Sequence, residues 1–362
     1  MKISNNLPNS RLINQNISHN KNNSPLELVK WMGGLQGQDF HGVKWSIALR
    51  LNQNNSLPDI ENAFNDRSII RTWPMRGTLF VIPAEDVRWM LQLCSPKNIK
   101  GALNRRKALE LDDITLFRCY DEFTKALQGG KQLVRDEMYA TLESAGISTA
   151  GQRGYHILWN SALKGIICQS GIKNNEQMFS LTEEWVPNPK ILARDEALGL
   201  LAKRYFISHG PATLQDFIWW SGLSAGEAKI GHQSANNFLL SEKIADKTYY
   251  FSAETQSVNQ KSCFVLPGFD EYILGYKDRA DVLASAHAQK VCPGNNGVFI
   301  ATIVINGAVA GTWKRTIKKN KLQVQLFPFD SFSINLIEMI GIAFKRYANY
   351  LKLEFNSSCI SF

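Results

Sequence analysis

The sequence predicts an α+β protein, with three tandem winged helix-turn-helix units followed by a C-terminal antiparallel β-barrel-like domain. Three observations support this fold class. Groups of amphipathic helical segments recur three times, and two strand-like runs follow each group, which is the element order of a winged helix. Beyond about residue 261 the apolar period changes to two, as in strands. The 362 residues are also enough for two to four separately folded domains.

The first unit, residues 1–127, contains a well-defined helix start. Ser24 is a good N-cap, Pro25 suits the first turn, and Glu27 can reach back to the free N–H groups. Two runs of branched and aromatic residues, joined by a short turn, predict a hairpin later in this unit. The predicted helices cover residues 11–15, 24–35, 40–51, 58–65, 83–93 and 114–127, and the predicted strands cover residues 68–73 and 78–82.

The second unit, residues 128–190, and the third unit, residues 191–260, repeat this order of elements. The repeat is one of pattern rather than of residue identity. The predicted helices cover residues 134–142, 149–163, 195–206 and 214–220, with one more from residue 225 onward, and the predicted strands cover residues 166–168, 178–181, 238–240 and 248–251.

The C-terminal domain, residues 261–362, is predicted to be a small antiparallel barrel or sheet. Asn306-Gly307 lies between two strand-like runs and is the strongest hairpin signal in the chain. The predicted strands cover residues 263–266, 298–304, 308–313, 321–327 and 351–355, and a helix covers residues 334–350.

The charge of the chain favours a polyanionic partner. A net charge of +9 suits nucleic acid or an anionic membrane surface rather than an acidic partner. No apolar run approaches the roughly 18 residues of a membrane-spanning helix, and the Asn-rich N-terminus lacks the apolar core of a secretory signal. The six cysteines form no Cys-x-x-Cys pair, and the six histidines show no metal-binding spacing. We therefore expect a cytoplasmic protein with reduced thiols and no metal site.

Gln36 and Gln38, separated by Gly37, are candidates for chemistry. In an extended segment their side chains point to the same side, whereas in a helix they lie about 200° apart. An amide is a poor general base, but its oxygen can orient a water molecule and its NH2 group can donate. The simpler interpretation is an apolar helix that ends in polar residues. Asp39 follows directly and is expected to cap the next helix.

Basic side chains cluster in parts of the sequence and are candidates for phosphate contacts. Arg71 and Arg76 lie on the predicted hairpin of the first unit, and two basic runs cover residues 97–107 and 314–321. Solvated arginines and a solvated helix face are the alternative interpretations. The residues predicted to bind DNA are Arg71, Arg76, Arg153, Lys314, Arg315, Lys318 and Lys319.

Four stretches carry a more specific pattern: residues 34–39 (GLQGQD), 71–79 (RTWPMRGTL), 266–279 (LPGFDEYILGYKDR) and 306–313 (NGAVAGTW). In order and spacing they resemble the winged-helix family that contains the bacterial DNA glycosylases AlkZ and YcaQ. Residues 209–223 fit the resemblance too, so it extends over nearly the whole chain. It implies three tandem winged helices and a C-terminal β-barrel curved around a DNA channel.

The resemblance also implies an activity and a site. AlkZ-like members carry a catalytic Gln-x-Gln signature, which falls here on Gln36 and Gln38, whereas YcaQ-like members carry Gln-x-Asp. Two positions depart from the pattern: Gly37 replaces a larger apolar residue, and Phe80 stands where many relatives have His. The implied function is excision of bulky or crosslinking N7- or N3-alkylated purines from duplex DNA by hydrolysis of the N-glycosidic bond. We expect a monofunctional, monomeric, nucleoid-associated enzyme without cofactor or metal.

The chemistry of such a lesion suits a pair of amides. An N7- or N3-alkylated purine is cationic, so it departs as a neutral base without help from a general acid. What remains is to stabilise the oxocarbenium-like sugar and to place a water molecule, which depends on positioning and electrostatics. We expect the carbonyl oxygens of Gln36 and Gln38 to do both.

Two other classes of function are compatible with the sequence. A non-catalytic winged-helix DNA-binding protein, such as a transcriptional regulator, would use the same helices but would not need both glutamines. A protein–protein scaffold could also be built from winged helices, but the net positive charge disfavours it.

Overall fold

The computed structural model describes residues 6–52, 55–255 and 261–362, and these residues form a mixed α+β fold, as predicted. The α-helices are α1 (Leu7–Asn14), α2 (Pro25–Met32), α3 (Phe40–Leu49), α4 (Leu57–Asn65), α5 (Val87–Gly101), α6 (Leu103–Ala108), α7 (Asp113–Leu127), α8 (Arg135–Ser144), α9 (Arg153–Leu163), α10 (Thr182–Trp185), α11 (Arg194–Ser208), α12 (Leu214–Ser221), α13 (Ala225–Ala235), α14 (Glu271–Leu274), α15 (Ala288–Val291) and α16 (Ile334–Tyr350). The strands are β1 (Leu35–Gln36), β2 (Ile69–Thr72), β3 (Phe80–Pro83), β4 (Ile167–Lys173), β5 (Glu176–Leu181), β6 (Leu239–Ile244), β7 (Lys247–Ser252), β8 (Cys263–Leu266), β9 (Thr302–Ile305), β10 (Ala308–Lys318), β11 (Lys321–Pro328) and β12 (Ile360–Ser361).

Local sequence signals explain the helix boundaries around the two glutamines. The Ser24 side chain accepts a hydrogen bond from the backbone N–H of Glu27 and starts α2. Asp39 accepts one from the Gly42 N–H at 3.0 Å and starts α3, which confirms the predicted cap. The helix α2 ends at Gly33, whose φ of 73° lies in the left-handed region that favours glycine. The short segment between these helices carries both glutamines.

The hairpins of the first and second units share one five-stranded sheet, in the order β1-β3-β2-β4-β5. Arg71 of β2 pairs with Gln169 of β4, and β1 adds to the sheet beside β3. The third hairpin, β6–β7, forms a separate two-stranded sheet. The predicted domain boundaries at residues 127, 190 and 260 stay predictions, as does the assignment of each unit as a winged helix. Residue 260 lies outside the described residues.

The prediction of a barrel-like C-terminal domain is wrong. Its five strands form an open sheet in the order β12-β11-β10-β9-β8, with β12 and β8 at opposite edges. Helix α16 packs against this sheet: the Trp313 ring lies 5.1 Å from the Phe344 ring and 5.5 Å from the Tyr347 ring, centroid to centroid. Because a helix buries these apolar side chains, the sheet does not need to close on itself to remove them from water.

Two segments of the C-terminal domain test the predicted secondary structure further. Asn306 and Gly307 connect β9 to β10 with φ values of 49° and 86°, which confirms the predicted hairpin. The predicted strand at residues 351–355 is wrong, because this segment contributes an isolated bridge between Glu354 and Lys321. The strand that completes the sheet comes later, where β12 pairs parallel to β11.

Helix α1 is buried and touches the third unit and the C-terminal domain together. Arg11 donates to the Pro211 carbonyl at 3.0 Å and lies 3.3 Å from an Asp281 carboxylate oxygen. Asn14 donates to the Gly210 carbonyl at 2.7 Å. The N-terminal helix therefore joins two parts of the chain that follow it by about two hundred residues or more.

The six cysteines are free thiols in the structure. Within the three described ranges, no helix is long and apolar enough to cross a membrane. The same ranges contain no group of three or more His, Cys, Asp or Glu side chains that could hold a metal ion.

Candidate active site

The segment with the two glutamines begins as a short edge strand and is not the end of a helix. Strand β1 pairs antiparallel with β3, with Gln36 opposite Phe80, and the Gly37 N–H donates to the Leu79 carbonyl at 2.7 Å. Gly34 has a φ of 134°, a conformation that favours glycine, and leads the chain from α2 into β1. The helical alternative is therefore wrong at Gln36, which lies in the strand, while Gln38 lies in a bend beyond the strand's end.

The two amides lie in different environments. Gln36 is only 7% exposed, whereas Gln38 is exposed to solvent. The Gln36 Oε1 accepts hydrogen bonds from Arg76 Nη2 at 3.2 Å and from Thr78 Oγ1 at 3.4 Å. An amide oxygen has two lone pairs, and these two contacts occupy them. Gln36 is thus held by its neighbours, while Gln38 is accessible to an incoming molecule.

Arg71 lies behind the motif and binds its backbone. Its Nε donates to the Gly37 carbonyl at 2.7 Å, and its Nη2 lies 3.5 Å from the Gln38 carbonyl. Its Nη1 donates to Gln169 Oε1 at 2.6 Å. Burial lowers the pKa of the Arg71 guanidinium to about 9, so the group remains a cation at neutral pH. The predicted contact of Arg71 with DNA would require these hydrogen bonds to open, and its present role is to support the motif.

A buried carboxylate, Glu271, holds the other side of Gln36. Its Oε1 accepts a hydrogen bond from the backbone N–H of Gln36 at 2.6 Å, across 235 positions of the sequence. Its Oε2 accepts from the Trp220 indole N–H at 2.9 Å and lies 3.4 Å from His209 Nε2. These partners replace water around a carboxylate that is only 1% exposed. Sequence reasoning missed Glu271 as a site residue, and its only signal was its place within residues 266–279.

Arg76 connects Gln36 to the third unit. Its guanidinium carbon lies 5.6 Å from the Phe80 ring centroid and 5.7 Å from that of Trp219, which is within cation–π range. Burial lowers the pKa of Arg76, while the nearby Glu271 carboxylate opposes that shift. Arg76 is half-buried, so the structure favours a role in the site beside its predicted contact with DNA.

Gly37 and Phe80, the two departures from the family pattern, both pack closely against neighbouring residues. A Cβ added at Gly37 would lie 3.4 Å from Arg71 Nε and from the Val81 backbone nitrogen, so the supporting arginine packs closely against this position. Phe80 is fully buried in the core and meets the Trp220 ring edge-on, at 6.3 Å between centroids. An apolar ring therefore fills the position where an imidazole would add a titratable group.

The other residues predicted to bind DNA fall into two groups. Arg153 donates to the Ser148 carbonyl at 3.0 Å and also contacts the Leu109 carbonyl, so it joins the start of α9 to the segment after α6. The second group is exposed along the β10–β11 hairpin, and we call it the hairpin cluster. It consists of Lys314, Arg315, Lys318 and Lys319.

Comparisons with known proteins identify the class. The fold is similar to the solved structure of the Streptomyces sahachiroi DNA glycosylase AlkZ, with a TM-score of 0.78 over 96% of each chain at 22% identity, a likeness that shows the fold. A Streptomyces sahachiroi protein named interstrand DNA cross-link repair glycosylase is 25% identical over 333 residues, which are 84% of this chain and 85% of the relative.

A family match over residues 29–350 places the chain among the DNA glycosylases, enzymes that cleave N-glycosidic bonds. The chain belongs to the family described as DNA glycosylase AlkZ-like.

Proposed function

We propose that this DNA glycosylase excises N7- or N3-alkylated purines, including bulky and crosslinking adducts, from duplex DNA. The observation that carries the proposal is the pair of amides, in which Gln36 is buried and held while Gln38 is exposed. Neither amide is an acid strong enough to protonate a leaving base. The substrate must therefore bring its own activation, as a cationic alkylpurine does. A relative named for interstrand cross-link repair supports the crosslinking part of the proposal.

The reaction balances without a general acid. In an N7-alkylguanine the C1′–N9 bond breaks, and its electron pair moves onto the cationic purine, which leaves as a neutral base. Water adds to C1′ and releases a proton to solvent, which gives an abasic site. We assign the Gln38 oxygen to the water or the sugar cation. Gln36 keeps Arg76 and Thr78 in place through its own oxygen, so the roles of the two amides differ.

The proposed contacts with DNA phosphates come mainly from the hairpin cluster. Its lysines are exposed and lie on one long hairpin, so they can reach a backbone without disturbing the core. Arg71 and Arg153 instead donate to protein carbonyls, which leaves them less free for phosphates.

A product assay tests the proposed function. The chain is incubated with a duplex that carries one N7-methylguanine, and abasic sites are converted into strand breaks by alkali. We expect breaks at the lesion and no breaks at undamaged guanine, and we expect the Gln38→Ala variant to give far fewer. A DNA-binding regulator would retain the duplex without forming abasic sites. Failure of the folded wild-type chain to release either a methylated or a bulky N7 adduct would contradict the proposal.

A further inference from the structure

A recess lies beside Arg76, and the proposed excision mechanism assigns no role to the residues that line it. Trp219 of α12 is 41% exposed and forms one wall of a cavity of about 380 Å³. Phe299 lines it as a second aromatic ring, and Leu283 and Val291 contribute buried apolar surface. Cavities of this size are large enough for one substituted aromatic ring.

The recess lies close to the Gln-x-Gln motif, and Arg76 contacts both. Arg76 donates to Gln36 Oε1 at 3.2 Å, and its guanidinium carbon also lies 5.7 Å from the Trp219 ring centroid. The Arg279 guanidinium carbon lies 5.7 Å from the same ring and 4.9 Å from the Phe299 ring. Arg76 and Trp219 therefore link the motif to the recess.

The charges around the recess restrict what it can hold. Arg76 and Arg279 both lie against Trp219, so a further cation placed on this ring would be repelled. Asp278 also lines the recess, but its carboxylate is already paired with Lys247 at 2.5 Å. Among the described residues, Arg279 Nη2 and Arg76 Nε are buried donors without a hydrogen-bond partner. Two unsatisfied donors beside an aromatic wall suit a flat, uncharged group that carries a hydrogen-bond acceptor.

We propose that this recess binds the planar aromatic part of a bulky alkyl adduct, uncharged and bearing an acceptor such as a carbonyl oxygen. The inference rests on the proposed function, because the adduct reaches the recess only when its purine lies at the Gln-x-Gln motif. It makes Trp219 and Arg279 determinants of lesion specificity rather than catalytic residues.

The test compares excision of two lesions by the full chain. One duplex carries N7-methylguanine and the other carries N7-(4-acetylbenzyl)guanine, and single-turnover rates are measured for each. We expect Trp219→Ala to lower the ratio of the acetylbenzyl rate to the methyl rate by roughly 5- to 100-fold, the size of one aromatic stacking interaction. Trp219→Phe, which keeps a ring, should lower the ratio much less. A third duplex with a 4-(aminomethyl)benzyl adduct should show no advantage over the methyl lesion.

A second variant avoids any effect of Trp219 on Arg76. Ser285 is exposed and lines the recess, so Ser285→Trp should fill the opening without disturbing the core. It should lower the same ratio as Trp219→Ala does. An unchanged ratio in both folded variants would overturn the proposal. So would an equal loss on both lesions accompanied by weaker binding of undamaged duplex, since that result indicates a phosphate contact.

Binding measurements separate this inference from the proposed function. Duplexes with a 2′-fluoro sugar at the lesion resist cleavage, so the affinity for each adduct can be measured without excision. Tighter wild-type binding of the acetylbenzyl duplex, lost in both variants, would support the recess even if the chain excised neither lesion. If the chain excised both lesions with equal affinity and equal rate, the proposed role of the recess would be overturned, while the proposed function would stand.

Discussion

Gln36 and Gln38 carry the same side chain in different surroundings, so their substitutions should have different effects. Gln38 is exposed, and Gln38→Ala should lower the single-turnover excision rate by roughly 10- to 1000-fold with little change in Tm. Gln36→Ala should also lower the free energy of unfolding by about 1–3 kcal/mol, because Arg76 and Thr78 lose a buried acceptor. Excision kinetics measured beside melting curves separate the two effects.

The Gln38→Asp variant serves as the matched control for this pair. It converts the motif to the Gln-x-Asp pattern and keeps an acceptor oxygen, one methylene nearer the backbone, so it should retain part of the activity. Full excision by a well-folded Gln36→Ala/Gln38→Ala double variant would show that neither amide takes part in catalysis.

At the scale of an element, the β10–β11 hairpin should supply part of the salt dependence of DNA binding. Lys318 and Lys319 lie at its exposed end, and Lys319 has a φ of 47°, so Lys318→Gln is combined with Lys319→Asn, which tolerates that conformation. The plot of log K against log salt should become shallower by roughly 0.9 for each phosphate that the variant no longer neutralises. Titrations at several salt concentrations measure the slope.

A control removes the same charge from another surface. Lys125 and Lys131 are exposed outside the hairpin, and their replacement by Gln should leave the salt slope closer to that of the wild type. Equal changes in the two double variants would indicate a response to net charge rather than to phosphate binding by the hairpin.

The elements that the sequence predicted well are those with local signals. Ser24, Asp39 and Ser333 each accept a hydrogen bond from the N–H at the start of a helix, and the helix at residues 334–350 lies where it was expected. Asn306-Gly307 adopts the positive φ values that its hairpin requires. The open sheet was not predictable in the same way, because alternation identifies strands but does not say whether a helix will cover their apolar face.

The site was only partly predictable, because its geometry depends on contacts between distant parts of the chain. Gln36 and Gln38 were identified as a pair, but the strand conformation of β1 depends on pairing with β3, which lies more than forty residues later. The contact of Gln36 with Glu271 spans 235 positions, and no local pattern reveals it. Arg71 was expected at a phosphate, whereas its neighbours Gly37 and Gln169 turn its donors inward.

At the scale of the whole molecule, a buried ion pair joins the first unit to the C-terminal domain. Arg50, which directly follows α3, donates to the two Asp270 oxygens at 2.7 and 2.9 Å, and Ser46 donates to the same carboxylate at 2.7 Å. Arg50 also donates to Gln15 Oε1 at 3.0 Å. Asp270 directly precedes Glu271, so this pair fixes the segment that supports the motif.

Asp270→Asn should lower the free energy of unfolding by about 3–5 kcal/mol, because it leaves the buried Arg50 charge uncompensated. Burial raises the pKa of Asp270, but Arg50 and the hydrogen bonds outweigh it and hold the pKa below its ordinary value. Because the folded pKa is the lower one, this stability is fully present above about pH 4 and is lost as the pH falls through the folded pKa. Urea melts at neutral and acidic pH should therefore show the variant and the wild type converging in acid.

The matched control for Asp270 is a carboxylate of the same type in a surface pair. Asp278 pairs with Lys247 at 2.5 Å, and both side chains are more than two-fifths exposed. Asp278→Asn should change the free energy of unfolding by less than about 1 kcal/mol. Similar losses of unfolding free energy in the two variants would mean that the buried pair stabilises the fold no more than the surface pair does.

Glu271 is a buried carboxylate that bonds to side chains from the third unit as well as to the Gln36 backbone. Glu271→Gln keeps the size of the side chain but replaces one acceptor oxygen by an NH2 donor. The amide cannot accept from the Gln36 N–H and the Trp220 N–H on separate oxygens, so one of these groups loses its partner. The position of β1 relative to α12 should change as a result.

We expect Glu271→Gln to lower single-turnover excision per folded molecule by roughly 10- to 100-fold, because a small displacement of the motif misplaces the attacking water. DNA affinity and its salt slope should stay near those of the wild type, since the hairpin cluster that we propose binds phosphates lies elsewhere. Glu254→Gln, an exposed carboxylate of the same type, should change none of these quantities. If Glu271 served only to stabilise the fold, excision would fall in proportion to the folded fraction, and the rate per folded molecule would equal that of the wild type. Melting curves and excision rates measured on the same preparation distinguish the two outcomes.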